Sequence, residues 1–140
     1  MARKDYVLDT SALFALIEDE DGAERVEEIM RSENAILPWL VLLETHYITR
    51  QERGSGEADR RYAFLKQSPC EVLWQVDEPT LLVASRFKAA HRLSFADAVI
   101  AAIAFRRGAV LLHKDPEYDA VADKVKLEAL PYKARTKDSQ

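Results

Sequence analysis

The sequence predicts an α/β domain with a parallel or mostly parallel sheet covered by helices on both faces. Three observations carry this. Short β-prone apolar runs recur along the chain, and the stretches between them have helical character. Helix-start and helix-stop residues stand at the junctions. The chain has 140 residues, 48% hydrophobic and 31% charged, the composition of one folded domain. A chain of this length buries roughly two-thirds of its unfolded surface without disulfide or metal staples.

The elements follow in order. Tyr6 to Asp9 reads Y-V-L-D, a strand ending in polar D-T-S, and A-L-F-A-L-I continues as a helix. After the acidic E-D-E-D, G-A-E-R-V-E-E-I-M is a second amphipathic helix. Ala35 to Pro38 is a strand whose Pro38 is placed to open a helix through W-L-V-L-L-E-T-H-Y-I-T-R. Gly54 to Gly56 marks a turn before the helix E-A-D-R-R-Y-A-F-L-K. Cys70 to Val76 alternates as a strand, and Asp77 with Pro79 starts a helix to about His91. Ser94 to Phe105 is a helix, Gly108 stops it, A-V-L-L-H is a buried strand and V-K-L-E-A-L a last one. Residues 1–130 are expected to form the single domain and 131–140 a polar C-terminal tail.

Twenty Lys and Arg against 24 Asp and Glu give a net charge of −4, so any contact with a polyanion must be local. A lone Cys70 makes no internal disulfide, in keeping with a reducing compartment. The basic opening with apolar residues after it resembles a signal peptide, but Asp5 and Asp9 interrupt it. No apolar run reaches the roughly 18 to 20 residues that span a bilayer, and a cytoplasmic protein is expected.

Four carboxylates stand out, because ligands of open α/β sheets gather beyond the carboxyl ends of the strands. Asp9 ends the first strand, where it serves equally as helix cap or as ligand. Glu44 has Leu40, Val41, Tyr47 and Ile48 three and four residues away, so its carboxylate lies on a core face. Burying it unpaired costs several kcal/mol, so a cation or an Arg or Lys partner is expected. Asp97 fits a capping box with Ser94, yet it opens a helix that is apolar all round from Ala98 to Phe105. Asp115 precedes Pro116 as a cap precedes the first helical position, and Asp119 follows one turn later, either assisting or exposed. If these acids converge, their repulsion opposes folding unless a cation sits among them. Such oxygen ligands suit Mg²⁺ or Mn²⁺; His46, His91 and His113 lack zinc-site spacing.

The segments Y-V-L-D-T-S-A-L, L-L-E-T, S-F-A-D-A-V-I-A-A and L-L-H-K-D-P-E-Y resemble, in order and spacing over about residues 5 to 130, the PIN domain family, in particular VapC-type toxins. The resemblance implies a three-layer α/β/α sandwich and a metal-dependent endoribonuclease with Asp9, Glu44, Asp97 and Asp115 as its acidic, metal-holding pocket. Ser11 matches the family's small polar residue beside the first acid, with Thr10 next to it. One position departs: two residues before the last acid the family usually has Thr or Ser, and here stands His113. The resemblance further implies an RNA substrate, a cognate antitoxin and a homodimer. Hydrolysis by metal-activated water predicts 5′-phosphate and 3′-hydroxyl ends. Lys114, beside the pocket, is the best candidate for an RNA contact, although charged helix faces are usually only solvated. The alternatives are a PIN-like module that binds RNA or protein without catalysis, and a haloacid-dehalogenase-like phosphatase. The latter is disfavoured because Ser11 stands where its acid-base Asp belongs.

Overall fold

A computed structural model describes residues 2–132. The expected polar tail falls, from residue 133 onward, outside the described residues. Strands β1 (Asp5–Leu8), β2 (Asn34–Pro38), β3 (Glu71–Leu73), β4 (Val110–His113) and β5 (Lys126–Ala129) form one sheet in the order β3-β2-β1-β4-β5. Every pairing is parallel, with Val7 between Ile36 and Leu111. Helices α1 (Thr10–Ile17) and α2 (Ala23–Ser32) connect β1 to β2, and α3 (Trp39–Arg53) and α4 (Ser55–Gln67) connect β2 to β3. Helices α5 (Glu78–Ala90) and α6 (Phe95–Arg107) return the chain to β4, and a 3₁₀ helix, Pro116–Val121, leads to β5.

The handedness of parallel crossovers fixes the layers. From β1 the chain steps outward to β2 and then β3; from β3 it jumps back across β1 to β4. Right-handed connections running in opposite directions lie on opposite faces of a sheet, which makes the α/β/α sandwich. The same reversal creates a crevice at the carboxyl ends of β1 and β4, where the connections diverge.

The central strands are apolar on both faces, as buried parallel strands must be. Val7, Leu8, Ile36, Leu37, Leu111 and Leu112 are all fully buried. Helix α6 is buried from Asp97 through Ala104 apart from Val99, and its Ala98, Ala101, Ala102 and Ala104 allow close approach to the sheet. It ends at Gly108, whose φ of 63° is left-handed and favours glycine.

Two boundaries differ from expectation. The third strand covers only Glu71–Leu73, because its sole neighbour β2 turns into α3 after Pro38. Trp74 to Val76 therefore have no strand to pair with, and Trp74 is exposed. The Gly54 to Gly56 turn contracts to Gly54 alone, which caps α3 and α4 together at φ 89°, while Ser55 and Gly56 are already helical. Arg61, buried on α4, fastens this helix pair to the end of α1. It ion-pairs with Glu18 at 2.9 Å and Glu57 at 3.0 Å, and donates to Thr49 at 3.3 Å.

The centre of the sheet is the sensitive part of the core. Ile36→Ala is expected to cost about 2–5 kcal/mol in urea unfolding. Leu81→Ala, on the exposed side of α5, is expected to change stability by less than about 0.5 kcal/mol.

Candidate active site

The crevice between β1 and β4 is built by backbone continuity. The Asp9 N–H donates to the Leu112 carbonyl at 3.0 Å, extending the β1–β4 ladder one residue beyond the strand. Asp9 then caps α1: its Oδ2 accepts from the Ser11 N–H at 3.0 Å and also from the Ser11 hydroxyl. Ser11 Oγ in turn accepts the Lys114 N–H at 2.8 Å, so this one small residue joins the two strand ends. Thr10 donates its hydroxyl to Glu44 Oε1 at 2.6 Å, reaching from α1 to α3. Glu44 is half-buried, and among the described residues its side chain's hydrogen bond is to this neutral donor alone.

Asp97 is nine-tenths buried. Half of the expected capping box is present, with Ser94 Oγ accepting the Asp97 N–H at 3.1 Å. The carboxylate itself turns to Tyr118, whose buried hydroxyl lies 2.6 Å from Asp9 Oδ1 and 3.0 Å from Asp97 Oδ1. Asp115 caps the 3₁₀ helix by accepting the Glu117 N–H at 2.9 Å. Carboxylate oxygens of Asp97, Asp115 and Glu117 lie within 4.8 Å of one another.

The structure thus links all four sequence-selected acids, Asp9, Glu44, Asp97 and Asp115, through Thr10, Tyr118 and the Asp97–Asp115 approach. Among the described residues, none of the four forms an ion pair with Lys or Arg. The cost of this crowding appears in Asp97, whose carboxyl is pushed up to about 7, first by burial and then by the charge of Asp9, with Asp115 and Glu44 adding to it. Burial also raises Glu44, helped by Asp9 and opposed by the Thr10 hydrogen bond. The phenol of Tyr118 rises well above its ordinary value, by burial and by both aspartates, and stays protonated. The single phenol proton is shared between the two carboxylates.

Three other residues find different places. His113, the departure from the family pattern, is fully buried and its Nδ1 accepts the Asp115 N–H at 3.0 Å. Burial lowers its pKa against the pull of Asp9, Asp115 and Asp119. Asp119 is exposed and stands outside the carboxylate cluster. Lys114, the candidate RNA contact, is already paired: its Nζ, on a side chain only 6% exposed, binds Glu20 at 3.2 Å and the Asp21 carbonyl at 3.0 Å. It lines a cleft of about 660 Å³ with Ser11, Phe14, Glu52, Arg53 and Tyr132, in which Arg53 is likewise paired, to Glu18.

Sequence reasoning missed Glu117 and Tyr118. Glu117 had a faint signal, an acid two residues after Asp115. Tyr118 had none, because its partners are 109 and 21 residues away.

The donor set suits a hard divalent ion: crowded carboxylate oxygens with uncompensated charge, and no thiolate or histidine cage. Fold and site together define a small α/β/α domain with an acidic centre at the switch point of a parallel sheet. The chain belongs to the PIN domain family, whose sequence profile matches residues 6–124. No curated protein sequence matches the chain significantly. Among solved structures it is similar to VapBC2 from Rickettsia felis bound to a promoter DNA fragment, with a TM-score of 0.75 and 13% identity over 91% of this chain and 99% of that one. It is also similar to VapBC-1 from nontypeable Haemophilus influenzae, at a TM-score of 0.71 and 20% identity, covering 89% and 97%. A third is Mycobacterium tuberculosis VapC20, described as a sarcin-ricin loop cleaving toxin, at a TM-score of 0.69 and 20% identity, covering 90% and 99%. These likenesses establish the fold.

The electrostatic strain has a measurable sign. Asp97 holds its proton more tightly folded than unfolded, where an aspartate titrates near 3.9. Its ionisation therefore removes stability as pH rises from about 4 through about 7. Glu44 acts in the same direction, and His113 in the opposite one at lower pH, so the informative quantity is the difference from a variant. In chelator, Asp97→Asn is expected to gain roughly 2–3 kcal/mol over the parent between pH 5 and pH 8, the full shift being reduced by solvent screening. Parallel pH profiles in urea denaturation would contradict the assignment.

Proposed function

We propose that this protein is a Mg²⁺- or Mn²⁺-dependent endoribonuclease that hydrolyses RNA phosphodiester bonds as the toxin of a toxin-antitoxin pair. The observation that carries the reading is the approach of the Asp97, Asp115 and Glu117 carboxylates to within 4.8 Å, with Asp9 tied to Asp97 through Tyr118 and Glu44 tied to α1 through Thr10, and no Lys or Arg paired with Asp9, Glu44, Asp97 or Asp115 among the described residues. Evolution of a stable fold rarely leaves such repulsion at a switch-point crevice unless the site binds a cation.

In this reading Asp9, Asp97 and Asp115 hold the ion, Glu44 completes the charge, and Glu117 joins from the rim. Thr10 and Ser11 orient Glu44 and Asp9 by hydrogen bonds. The bound ion supplies a water of lowered pKa and offsets charge on the phosphoryl group. The carboxylates would hold the ion, and with it that water, at the crevice. Lys114 reaches a phosphate only by leaving Glu20, so RNA binding and loss of that ion pair are coupled.

The partners follow from the same reading. Solved neighbours described as VapBC or toxin-antitoxin complexes support a cognate antitoxin for this chain. Exposed Trp39, Leu43, Leu81 and Phe95 offer apolar area to an antitoxin or to a second copy in a homodimer. Among the described residues no helix is long and apolar enough to cross a membrane, in keeping with action in the cytoplasm on cellular RNA. One competing reading is a module that binds RNA or a partner protein without cutting, and it rests on His113 standing where the family pattern has Thr or Ser.

Melting and cleavage separate the two. Saturation with Mn²⁺ at about 100 times its Kd is expected to add about 2.7 kcal/mol of stability, and metal-loaded protein is expected to cut total cellular RNA to 5′-phosphate and 3′-hydroxyl ends. Asp97→Asn is expected to abolish both the melting shift and cleavage while still unfolding cooperatively. Undiminished cleavage by that variant refutes the assignment, and RNA retained without cleavage by the metal-loaded parent favours the binding module.

A further inference from the structure

We propose that Tyr118 is a positioning residue of the metal centre, its hydroxyl holding Asp9 and Asp97 at a fixed separation so that both present oxygens to the same divalent ion. The inference rests on the metal-dependent reading above and adds to it a residue that is not itself a ligand.

The geometry is specific. Tyr118 is fully buried, and its hydroxyl is shared by carboxylates from two elements that touch it from different sides, at 2.6 Å and 3.0 Å. Asp9 uses its other oxygen for Ser11, so its carboxylate is gripped at both ends. Asp97 has no other side-chain partner, which leaves Tyr118 as the sole restraint on its carboxylate among the described residues. Each carboxylate oxygen offers two acceptor positions, so an oxygen that accepts from the phenol still faces an ion with the second.

The ring adds a third tie. Its centroid lies 5.0 Å from that of His113, whose Nδ1 accepts the Asp115 N–H. One aromatic residue on a short 3₁₀ helix therefore sets the placement of Asp9 and Asp97 through its hydroxyl and braces the turn bearing Asp115 through its face. Phenylalanine preserves the second function and deletes the first. Outer partners that orient metal ligands typically account for 10–100-fold in metal affinity.

The experiment is a Mn²⁺ titration of the parent and of Tyr118→Phe, followed by the electron paramagnetic resonance signal of the free ion well below the melting temperature. The expected result is a Kd raised at least about tenfold with unchanged stoichiometry, a change that loss of packing alone does not produce at a temperature where the variant is folded. Absence of Mn²⁺ binding by the parent overturns the metal reading itself. Binding by the parent and equally tight or tighter binding by Tyr118→Phe overturns only the positioning role. If the variant does not fold, 3-fluorotyrosine installed at position 118 alone serves instead. Its fluorine resonance is expected to shift on Mg²⁺ titration with the Kd obtained by competition against Mn²⁺; a resonance unmoved at saturation overturns the proposal.

Discussion

Like charges confined to one crevice dominate this molecule, and they are held there by neutral hydroxyls. Thr10, Ser11 and Tyr118 each donate to an acid that has no cation beside it among the described residues. A hydroxyl stabilises a carboxylate without cancelling its charge, so the negative potential survives for use. An arginine in any of these places would relieve the strain and fill the site. The raised Asp97 shows how far the compensation falls short. A fold of ordinary stability, about 5–15 kcal/mol, carries that deficit because the sheet beneath is apolar and fully buried along its centre.

Topology explains why the acids meet. Asp9 and Asp115 leave neighbouring strands β1 and β4 in divergent directions, so neither connection covers the crevice. Asp97 and Glu44 arrive from helices on opposite faces of the sheet. The positions lie as much as 106 residues apart in the chain, from Asp9 to Asp115; Asp9, Asp97 and Asp115 are each the cap or first-turn residue of their own element, whereas Glu44 sits inside α3. Capping leaves the second oxygen of Asp9 unused by α1. Asp9 accepts α1 N–H bonds with one oxygen and faces the crevice with the other.

Much of the architecture was readable before any coordinates, because the apolar runs are long enough and the caps clear enough. Asp77 and Ser94 cap their helices as their spacing implied. The errors lie where a neighbour decides. Trp74 to Val76 have strand-like alternation, but β2 ends at Pro38 and gives them nothing to pair with. Gly54-Ser55-Gly56 has turn composition, but one left-handed glycine suffices. In the site, the four acids were legible because each breaks a local rule or marks a strand end. Tyr118 breaks none, since a tyrosine between Glu117 and Asp119 carries no local signal and its hydroxyl partners meet it only after folding. The ion pair of Lys114 with Glu20 was not legible, because Glu20 belongs to the loop after α1, 94 residues earlier in the chain.

The short helix α1 has a mechanical consequence. It is pinned at its beginning by the Thr10 bond to Glu44 and at its end by the bonds from Glu18 to Arg53 and Arg61. Helices α3 and α4, joined by a single residue, close the frame on the other side. Eight residues of helix measure about 12 Å, so α1 acts as a caliper whose far jaw is an ion cluster remote from the chemistry. The Thr10 bond and the Glu18 ion pairs thus load opposite ends of one rod, and Arg61 shares with Glu44 the task of seating it.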